Sequence, residues 1–246
     1  SYITAVVAGQ WAIVDGGSWE GSAGDGASAC LDLRLMCRQA LAEAMDSDDI
    51  LAVTRAGLDH YHAHYGYTYP WGSYDQIFVP EYNLGAMENP GCVTFTESYL
   101  SRDTPSFALR QKRANTILHE MCHMWFGDLV TPAWWDNLWL KESFAENQGT
   151  TTAAEATVYT GEWASFAIGR KAWAYAQDQY PTTHPIVADI PDIPAATNNF
   201  DGITYAKGAS VLKQLVAWVG EDAFYQGVRL YFQRHANGAT SLDDLL

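Results

Sequence analysis

The chain has 246 residues and a formal net charge of −15, because 29 Asp and Glu residues outnumber 14 Lys and Arg residues. Such an acidic chain repels phosphate backbones and anionic lipid headgroups, so we expect neither nucleic acid nor a membrane as a partner. Hydrophobic residues make up 48% of the sequence, which is enough for a sizeable core in one large domain or two modest ones.

The four cysteines, Cys30, Cys37, Cys92 and Cys122, include no Cys-x-x-Cys pair. A disulfide framework in a chain of this length would normally be denser, so we expect free thiols in a reducing compartment. The sequence has no uncharged apolar run of membrane-spanning length. We therefore expect a cytoplasmic location, and a signal removed upstream of residue 1 is the alternative.

The predicted elements begin with one or two strands in residues 1–14, followed by a Gly- and Ser-rich loop over residues 15–28. Helical spacing then predicts a helix from about residue 29 to residue 45 and a second helix over about 47–65. The next segment, residues 73–100, is typical of strands because Val, Ile, Phe and Thr cluster in it.

From residue 105 onward helical patterns dominate, over about 105–127, from 137, over about 160–180 and over 204–236. Strands followed by helices indicate the α+β fold class, with a small mixed α/β lobe followed by a mainly helical lobe. Near the C-terminus, Ser241 with Asp244 three residues later resembles a capping box at the start of another helix. We therefore predict a segment of a longer polypeptide, and frayed termini of a complete protein are the alternative.

The stretch ILHEMCHMWFGD contains two histidines four residues apart on a predicted helix. His119 and His123 therefore lie on one face and can present two ring nitrogens to the same point, as zinc requires. Glu120 lies about 100° around the helix from His119, where it can flank a metal and act on a bound water. Cys122 is interpreted as a small buried residue rather than a ligand. The alternative is a structural helix that carries two histidines by chance.

A catalytic zinc site needs a third protein ligand, and Glu142 follows His123 after eighteen residues. Gly127 and Pro132 between them predict a helix end, a turn and a new helix. A helical hairpin would return Glu142 to the first helix and complete a ligand set of two histidines and one glutamate. Glu146, one turn later, either accepts a hydrogen bond from a ligating histidine or is a solvated helix residue.

A second histidine cluster lies in DHYHAHYGY, where His60 and His64 have the same helical spacing and His62 lies between them. This segment has no adjacent glutamate and no obvious third ligand. We interpret it as the solvated end of a helix, since histidine is often a polar surface residue.

Three sequence blocks together resemble the aminopeptidase N family of gluzincin zinc metallopeptidases. They are GAMEN at 85–89, HEMCHMWFGDLVT followed by WWDNLWLKESFAE within 119–146, and FDGITYAKGA at 200–209. The blocks occur in family order, and the resemblance covers nearly the whole chain. It implies a thermolysin-like catalytic domain over residues 15–246, residues 1–14 as the junction with an N-terminal β domain, and a further C-terminal helical domain.

The resemblance also implies roles for individual residues. One Zn²⁺ per chain would be bound by His119, His123 and Glu142. Glu120 would be the general base that takes a proton from the zinc-bound water. Tyr205 would donate a hydrogen bond to the oxyanion of the tetrahedral intermediate; read without the resemblance, it is a core tyrosine.

The GAMEN segment would bind the substrate in this family. Its five residues are Gly85, Ala86, Met87, Glu88 and Asn89. Glu88 would pair with the free α-amino group, and the backbone around Gly85 and Ala86 would run alongside the peptide like an added strand. Read without the zinc motifs, Glu88 is a turn residue in a stretch rich in Gly, Asn and Pro.

Four residues depart from those common in the family: Met124, Asp128, Lys141 and Ser143. None is a predicted ligand, so we expect no loss of metal. The leading hypothesis is a zinc-dependent aminopeptidase that hydrolyses the N-terminal bond of peptides with a free N-terminus. The alternatives are a zinc endopeptidase of thermolysin type and a catalytically weak fragment without its N- and C-terminal domains. GAMEN argues against the endopeptidase.

Overall fold

The computed structural model describes residue 2 and residues 4–246. The strands are, in chain order, β1 Trp11–Gly21, β2 Ala29–Arg38, β3 Ser73–Val79, β4 Ala86–Met87, β5 Cys92–Thr96, β6 Val130–Pro132 and β7 Gly238–Thr240. The helices are α1 Ser47–Tyr65, α2 Phe107–His123, α3 Trp139–Ala156, α4 Glu162–Ile168, α5 Arg170–Gln177, α6 Ile193–Asn198, α7 Gly208–Val219, α8 Glu221–His235 and α9 Leu242–Leu245. A π-helical segment, Ile203–Lys207, leads directly into α7.

The main sheet has five strands in the order β1-β2-β3-β5-β4. Strands β2, β3 and β5 run parallel, while β1 and β4 pair antiparallel with their neighbours. Helix α1 connects β2 to β3, as a parallel crossover requires. Strand β4 is therefore an edge strand, and it contains the middle of the GAMEN segment.

The helix predicted from residue 29 is wrong, because residues 29–38 form strand β2. Buried and exposed side chains alternate along it from Ala29 to Cys37, which is the period of two of a strand with one face on the core. The helical interpretation used only part of this pattern, namely Leu31 and Leu35. The six residues that follow form a short 3₁₀ turn.

The loop predicted over residues 15–28 is wrong in its first half, because β1 continues to Gly21. Pairing between β1 and β2 shifts register between Asp15 and Ser18. Gly17 lies in this bulge at φ 67°, and its N–H donates to the Asp15 carboxylate at 2.8 Å. The glycines thus mark a β-bulge, which needs a left-handed residue, and not the end of the strand.

The predicted junction over residues 1–14 meets this same strand. Residues 11–14 belong to β1 and hence to the main sheet, residues 4–10 form no strand, and residues 1 and 3 lie outside the described residues. The presence of domains beyond this chain stays a prediction.

The second predicted helix is confirmed as α1, and its expected core positions are buried: Ile50, Val53, Leu58 and Tyr61. The predicted order of strands followed by helices is confirmed, so the fold is mixed α and β. The capping box of Ser241 and Asp244 is confirmed at the start of α9. Within residue 2 and residues 4–246, no helix has the length and apolar character needed to cross a membrane.

Helices α2 and α3 pack closely, and Gly149 makes this possible. A methyl group at Gly149 would lie 2.9 Å from the backbone nitrogen of His119. A second close approach occurs at Gly208, where a methyl group would overlap the Ser143 hydroxyl. These two glycines let α2 and the start of α7 lie against α3, so the helices with the proposed ligands pack close to the segment that carries Tyr205.

Candidate metal and catalytic site

The three predicted metal ligands meet between α2 and α3. His123 Nε2 lies 3.1 Å from His119 Nε2 and 3.3 Å from Glu142 Oε2, and His119 Nε2 lies 3.5 Å from the same oxygen. Donors bound to a tetrahedral zinc ion at about 2.0–2.1 Å are roughly 3.3 Å apart. The spacing of these donor atoms therefore fits an ion of that size.

Hydrogen bonding at His123 leaves its Nε2 atom available to bind a metal. Its Nδ1 lies 2.9 Å from the carbonyl oxygen of Phe126. A carbonyl can only accept, so the proton of the neutral ring belongs on Nδ1, and Nε2 keeps its lone pair for a metal. His123 and Glu142 are 1% and 3% exposed at their side chains, whereas His119 is 12% exposed. The site therefore opens to solvent on the His119 side.

Glu120 lies buried beside this cluster. Burial raises the pKa of its carboxyl to about 8; the nearby His119 ring opposes the shift, and the carboxylate of Glu88 adds to it. A carboxyl with a pKa near neutrality can both take up and release a proton at physiological pH. Glu120 therefore has the environment of a general base.

Glu88 is buried and already paired with a cation. Its Oε1 accepts hydrogen bonds from Lys141 Nζ and from the Tyr2 hydroxyl, each at 2.6 Å. Burial alone would raise the pKa of Glu88, but the charges of His123 and Lys141 lower it to about 2. Glu88 is thus a carboxylate that already holds one ammonium group in this structure.

Lys141 and Asp128 depart from the common family residues, and both face the Glu88 side of the site. Lys141 Nζ also lies 3.1 Å from Glu142 Oε1, so it joins the predicted amine-binding and metal-binding carboxylates. Neither Asp128 oxygen has a hydrogen-bond partner among the described residues. Burial raises the pKa of Asp128 to about 9, and Glu88 adds to this shift, so Asp128 is neutral at pH 7.

The other GAMEN residues form the sheet edge. Ala86 and Met87 pair with β5, and Gly85 contributes a carbonyl that accepts from Thr96 at 3.0 Å. The Asn89 side chain donates to Thr94 at 3.3 Å, so its amide helps to hold the turn after β4. These residues therefore place Glu88 at the end of an edge strand.

Tyr205 lies on the π-helical segment, with its ring stacked against His119 at 5.9 Å between centroids and 19° between planes. Single π-helical turns often occur at functional sites. The Ser143 hydroxyl donates to the Thr204 carbonyl at 2.6 Å, and the Asp201 carboxylate accepts from the Thr204 N–H at 3.0 Å. Two polar side chains thus fix the turn that carries Tyr205.

Glu146 is buried and faces the proposed metal ligands from the far side of His119. Its Oε2 lies 3.8 Å from His119 Nδ1, which is longer than a hydrogen bond. The solvated alternative is wrong, because the side chain is only 4% exposed. Both of its oxygens are bound by Arg170.

Three residues of this region were not found from the sequence: Tyr2, Arg170 and Asp201. Tyr2 and Arg170 contact the site across at least 24 residues of sequence, whereas Asp201 binds the nearby Thr204 N–H. The FDGITYAKGA block included Asp201 but gave no role to its carboxylate, and nothing near Tyr2 or Arg170 in the sequence indicates a site. The contributions of Tyr2 and Arg170 depend on tertiary contacts that helical or strand periodicity does not encode.

Across the residues that the structure describes, the second histidine cluster is not part of any group of three side chains close enough to share a metal. Among the described residues, the groups close enough to share a metal are His119, His123 and Glu142, and Glu88, Glu120 and His123. The solvated interpretation is wrong for His62, which is 2% exposed. Both of its ring nitrogens form hydrogen bonds, one with the Leu58 carbonyl and one with the Tyr69 N–H.

The four cysteines are unpaired, as predicted.

Comparison with known proteins agrees with this geometry. The sequence model described as "Peptidase family M1 domain" matches residues 50–246. An "Aminopeptidase N" from Streptomyces lividans is 52% identical over an alignment that covers the whole of this chain and 28% of that protein. A "Probable aminopeptidase 2" from Sulfurisphaera tokodaii is 36% identical over an alignment that covers 78% of this chain and 25% of that protein. A "Leucyl aminopeptidase" from Saccharolobus solfataricus is 35% identical over 79% of this chain and 25% of that protein.

The fold and the converging histidine and glutamate side chains are those of a metallopeptidase domain. The chain belongs to peptidase family M1. It spans about a quarter of the length of the curated relatives it matches.

Proposed function

We propose that this chain is the thermolysin-like catalytic domain of a zinc-dependent aminopeptidase, which hydrolyses the N-terminal bond of peptides that have a free amine. The observation that carries the proposal is the convergence of His119, His123 and Glu142 within 3.5 Å of one another. The names of the M1 relatives support the same activity. Further domains of the same polypeptide and a cytoplasmic location stay predictions.

The proposed ligands suit zinc, because two neutral imidazole nitrogens and one carboxylate oxygen are the ligand set of hydrolytic zinc sites. When bound, zinc would polarise the scissile carbonyl and lower the pKa of a water molecule toward neutrality. The Glu120 carboxylate accepts a proton from the attacking water and passes it to the leaving amine. Its buried position beside the proposed ligands lets one carboxylate perform both transfers.

Glu88 gives the site its preference for a chain terminus. A buried carboxylate forms a charge-assisted hydrogen bond with an ammonium group, and this pairing fixes which peptide bond lies at the ligands. The bond that Lys141 makes to Glu88 supports this role, because it already pairs an ammonium group with that carboxylate. The edge of β4 offers backbone groups to an extended peptide, with Gly85, Ala86, Met87 and Asn89 shaping the contact.

Tyr205 supplies a hydroxyl on the His119 side, where the site opens to solvent. We infer that this hydroxyl donates to the oxyanion that forms when water attacks the carbonyl. Burial raises the pKa of Tyr205 well above its ordinary value, so the hydroxyl keeps its proton and remains a donor at neutral pH. Ser143 and Asp201 hold the turn that fixes its position.

The test compares a free-amine peptide substrate with its N-acetylated form, using the full-length protein. We expect hydrolysis of the free-amine substrate alone, and loss of that hydrolysis by about 10²-fold or more in Glu120→Gln. Preference for the acetylated substrate would instead indicate an endopeptidase. Unchanged hydrolysis by Glu120→Gln would contradict the assigned base.

A further inference from the structure

Arg170, the first residue of α5, makes a bidentate contact with Glu146 on α3. Its Nε lies 2.6 Å from Oε1, and its terminal nitrogen lies 2.8 Å from Oε2. The planar fork of a guanidinium group fixes both oxygens of a carboxylate at once. Arg170 therefore sets the orientation of the Glu146 carboxylate.

That carboxylate faces a proposed metal ligand. Glu146 Oε2 is the oxygen nearest to His119 Nδ1, at 3.8 Å, and the side chain is 4% exposed. A carboxylate that loses both bonds of a bidentate partner is free to rotate away from its position. Without Arg170, Glu146 would therefore cease to present a fixed negative charge to the His119 ring.

The same guanidinium also contacts the proposed oxyanion donor. Arg170 Cζ lies 5.6 Å from the centre of the Tyr205 ring and 4.7 Å from that of Trp173. The Tyr205 ring in turn stacks against His119. One cation on α5 thus touches Tyr205 directly and reaches His119 through Glu146.

We propose that Arg170 is a positioning residue that orients the metal ligand His119, through Glu146, together with the oxyanion donor Tyr205. This inference rests on the proposed function, since it assigns Arg170 to the same zinc site. Arg170 is 44% exposed at its side chain. An ion pair with so exposed a partner adds little to folding stability, so its loss should affect the site more than the fold.

The experiment measures zinc affinity by competition with a chromophoric chelator in the full-length protein. Arg170→Gln and Glu146→Gln should each weaken zinc binding by about 10-fold, the usual effect of removing a group that orients a metal ligand. Because both changes break one relay, the double variant should bind no more weakly than either single variant. Arg170→Lys, which keeps the charge but loses the fork, should recover part of the affinity.

Arg34→Gln is the matched control. Arg34 makes a bidentate pair with Asp75 at 2.7 and 2.6 Å, its side chain is 47% exposed, and it lies in the main sheet. This variant should bind zinc as the wild type does. In parallel, Arg170→Gln should lower kcat with little change in KM, because Tyr205 acts only when the oxyanion forms.

The outcomes separate this inference from the proposed function. Wild-type protein that binds no zinc would overturn both. Wild-type binding with undiminished affinity in Arg170→Gln would overturn the role of Arg170 alone. Additive losses in the double variant, or an equal loss in Arg34→Gln, would also overturn it.

Discussion

Two helices of this protein each carry a pair of histidines four residues apart, and only one pair forms a candidate metal site. On α2, His119 and His123 direct Nε2 atoms to within 3.1 Å of each other. On α1, the rings of His60 and His64 lie 4.1 Å apart with a tilt of 32°, and His64 Nδ1 hydrogen-bonds the His60 carbonyl at 2.7 Å. Identical spacing therefore produces two different arrangements.

The difference lies in the element packed against each pair. Helix α3 brings Glu142 to the Nε2 atoms of α2. At α1 the nearest carboxylate is Glu221, which lies 3.9 Å from His64 Nε2, and His60 Nε2 is buried with no partner among the described residues. A metal site thus requires a third group from another element, and helical spacing alone does not supply it.

The largest expected effect separates the two pairs directly. Glu142→Ala removes a proposed ligand and should abolish both stoichiometric zinc binding and peptide hydrolysis. His64→Ala makes a comparable truncation at the other pair and should leave both intact. Metal content by plasma mass spectrometry and an aminopeptidase assay would measure this, and a zinc loss in His64→Ala would contradict the comparison.

Tyr205→Phe tests the hydroxyl of the tyrosine whose ring stacks on His119. Removing one oxyanion donor typically costs about 10²–10³ in kcat. Zinc content should stay at the wild-type level, since the hydroxyl is not a ligand. Steady-state kinetics would check this, and kcat within a factor of two of the wild type would exclude the donor role.

Gly149→Ala tests the close packing that brings α3 to α2. The added methyl group would lie 2.9 Å from the His119 backbone, so the helices must separate, at about 1–3 kcal/mol of unfolding free energy. Gly227→Ala is the control on α8, where nothing lies within 4 Å of the new methyl group. There we expect a gain of about 0.5–1 kcal/mol in denaturant unfolding. Equal shifts in the two variants would refute the packing argument.

The smallest effect concerns pH and the α1 pair. Burial, with a contribution from His64, lowers the pKa of His60 from 6.5 to about 4. The unfolded chain then binds a proton that the folded chain does not, so stability is lost as pH falls from 6.5 toward 4. His60→Gln should lose less stability than the wild type between pH 7 and 5 in urea unfolding. Parallel pH profiles would count against a buried neutral His60.

The sequence was informative where one periodic pattern dominated. Helix α1 and the order of strands followed by helices followed from apolar spacing. Strand β2 was mistaken for a helix because Leu31 and Leu35 fit both periods, and only the full alternation from Ala29 to Cys37 distinguishes them. The bulge at Gly17 was mistaken for a loop because turns and bulges favour the same residues.

The candidate site was also predictable only in part. His119, His123 and Glu142 were predicted from spacing, and the structure brings them together. The pairing of Glu88 with Lys141 and of Glu146 with Arg170 was not predictable. These contacts join segments 53 and 24 residues apart, and their geometry depends on how α3 packs against the sheet edge and α5.

Anomalous diffraction at the zinc absorption edge, from crystals of the full-length protein grown with zinc, tests the central claim most directly. We predict a peak at about 2.0–2.1 Å from Nε2 of both His119 and His123 and at a similar distance from a Glu142 oxygen. No peak there, or a peak between His60 and His64 instead, would contradict a metal site built from α2 and α3.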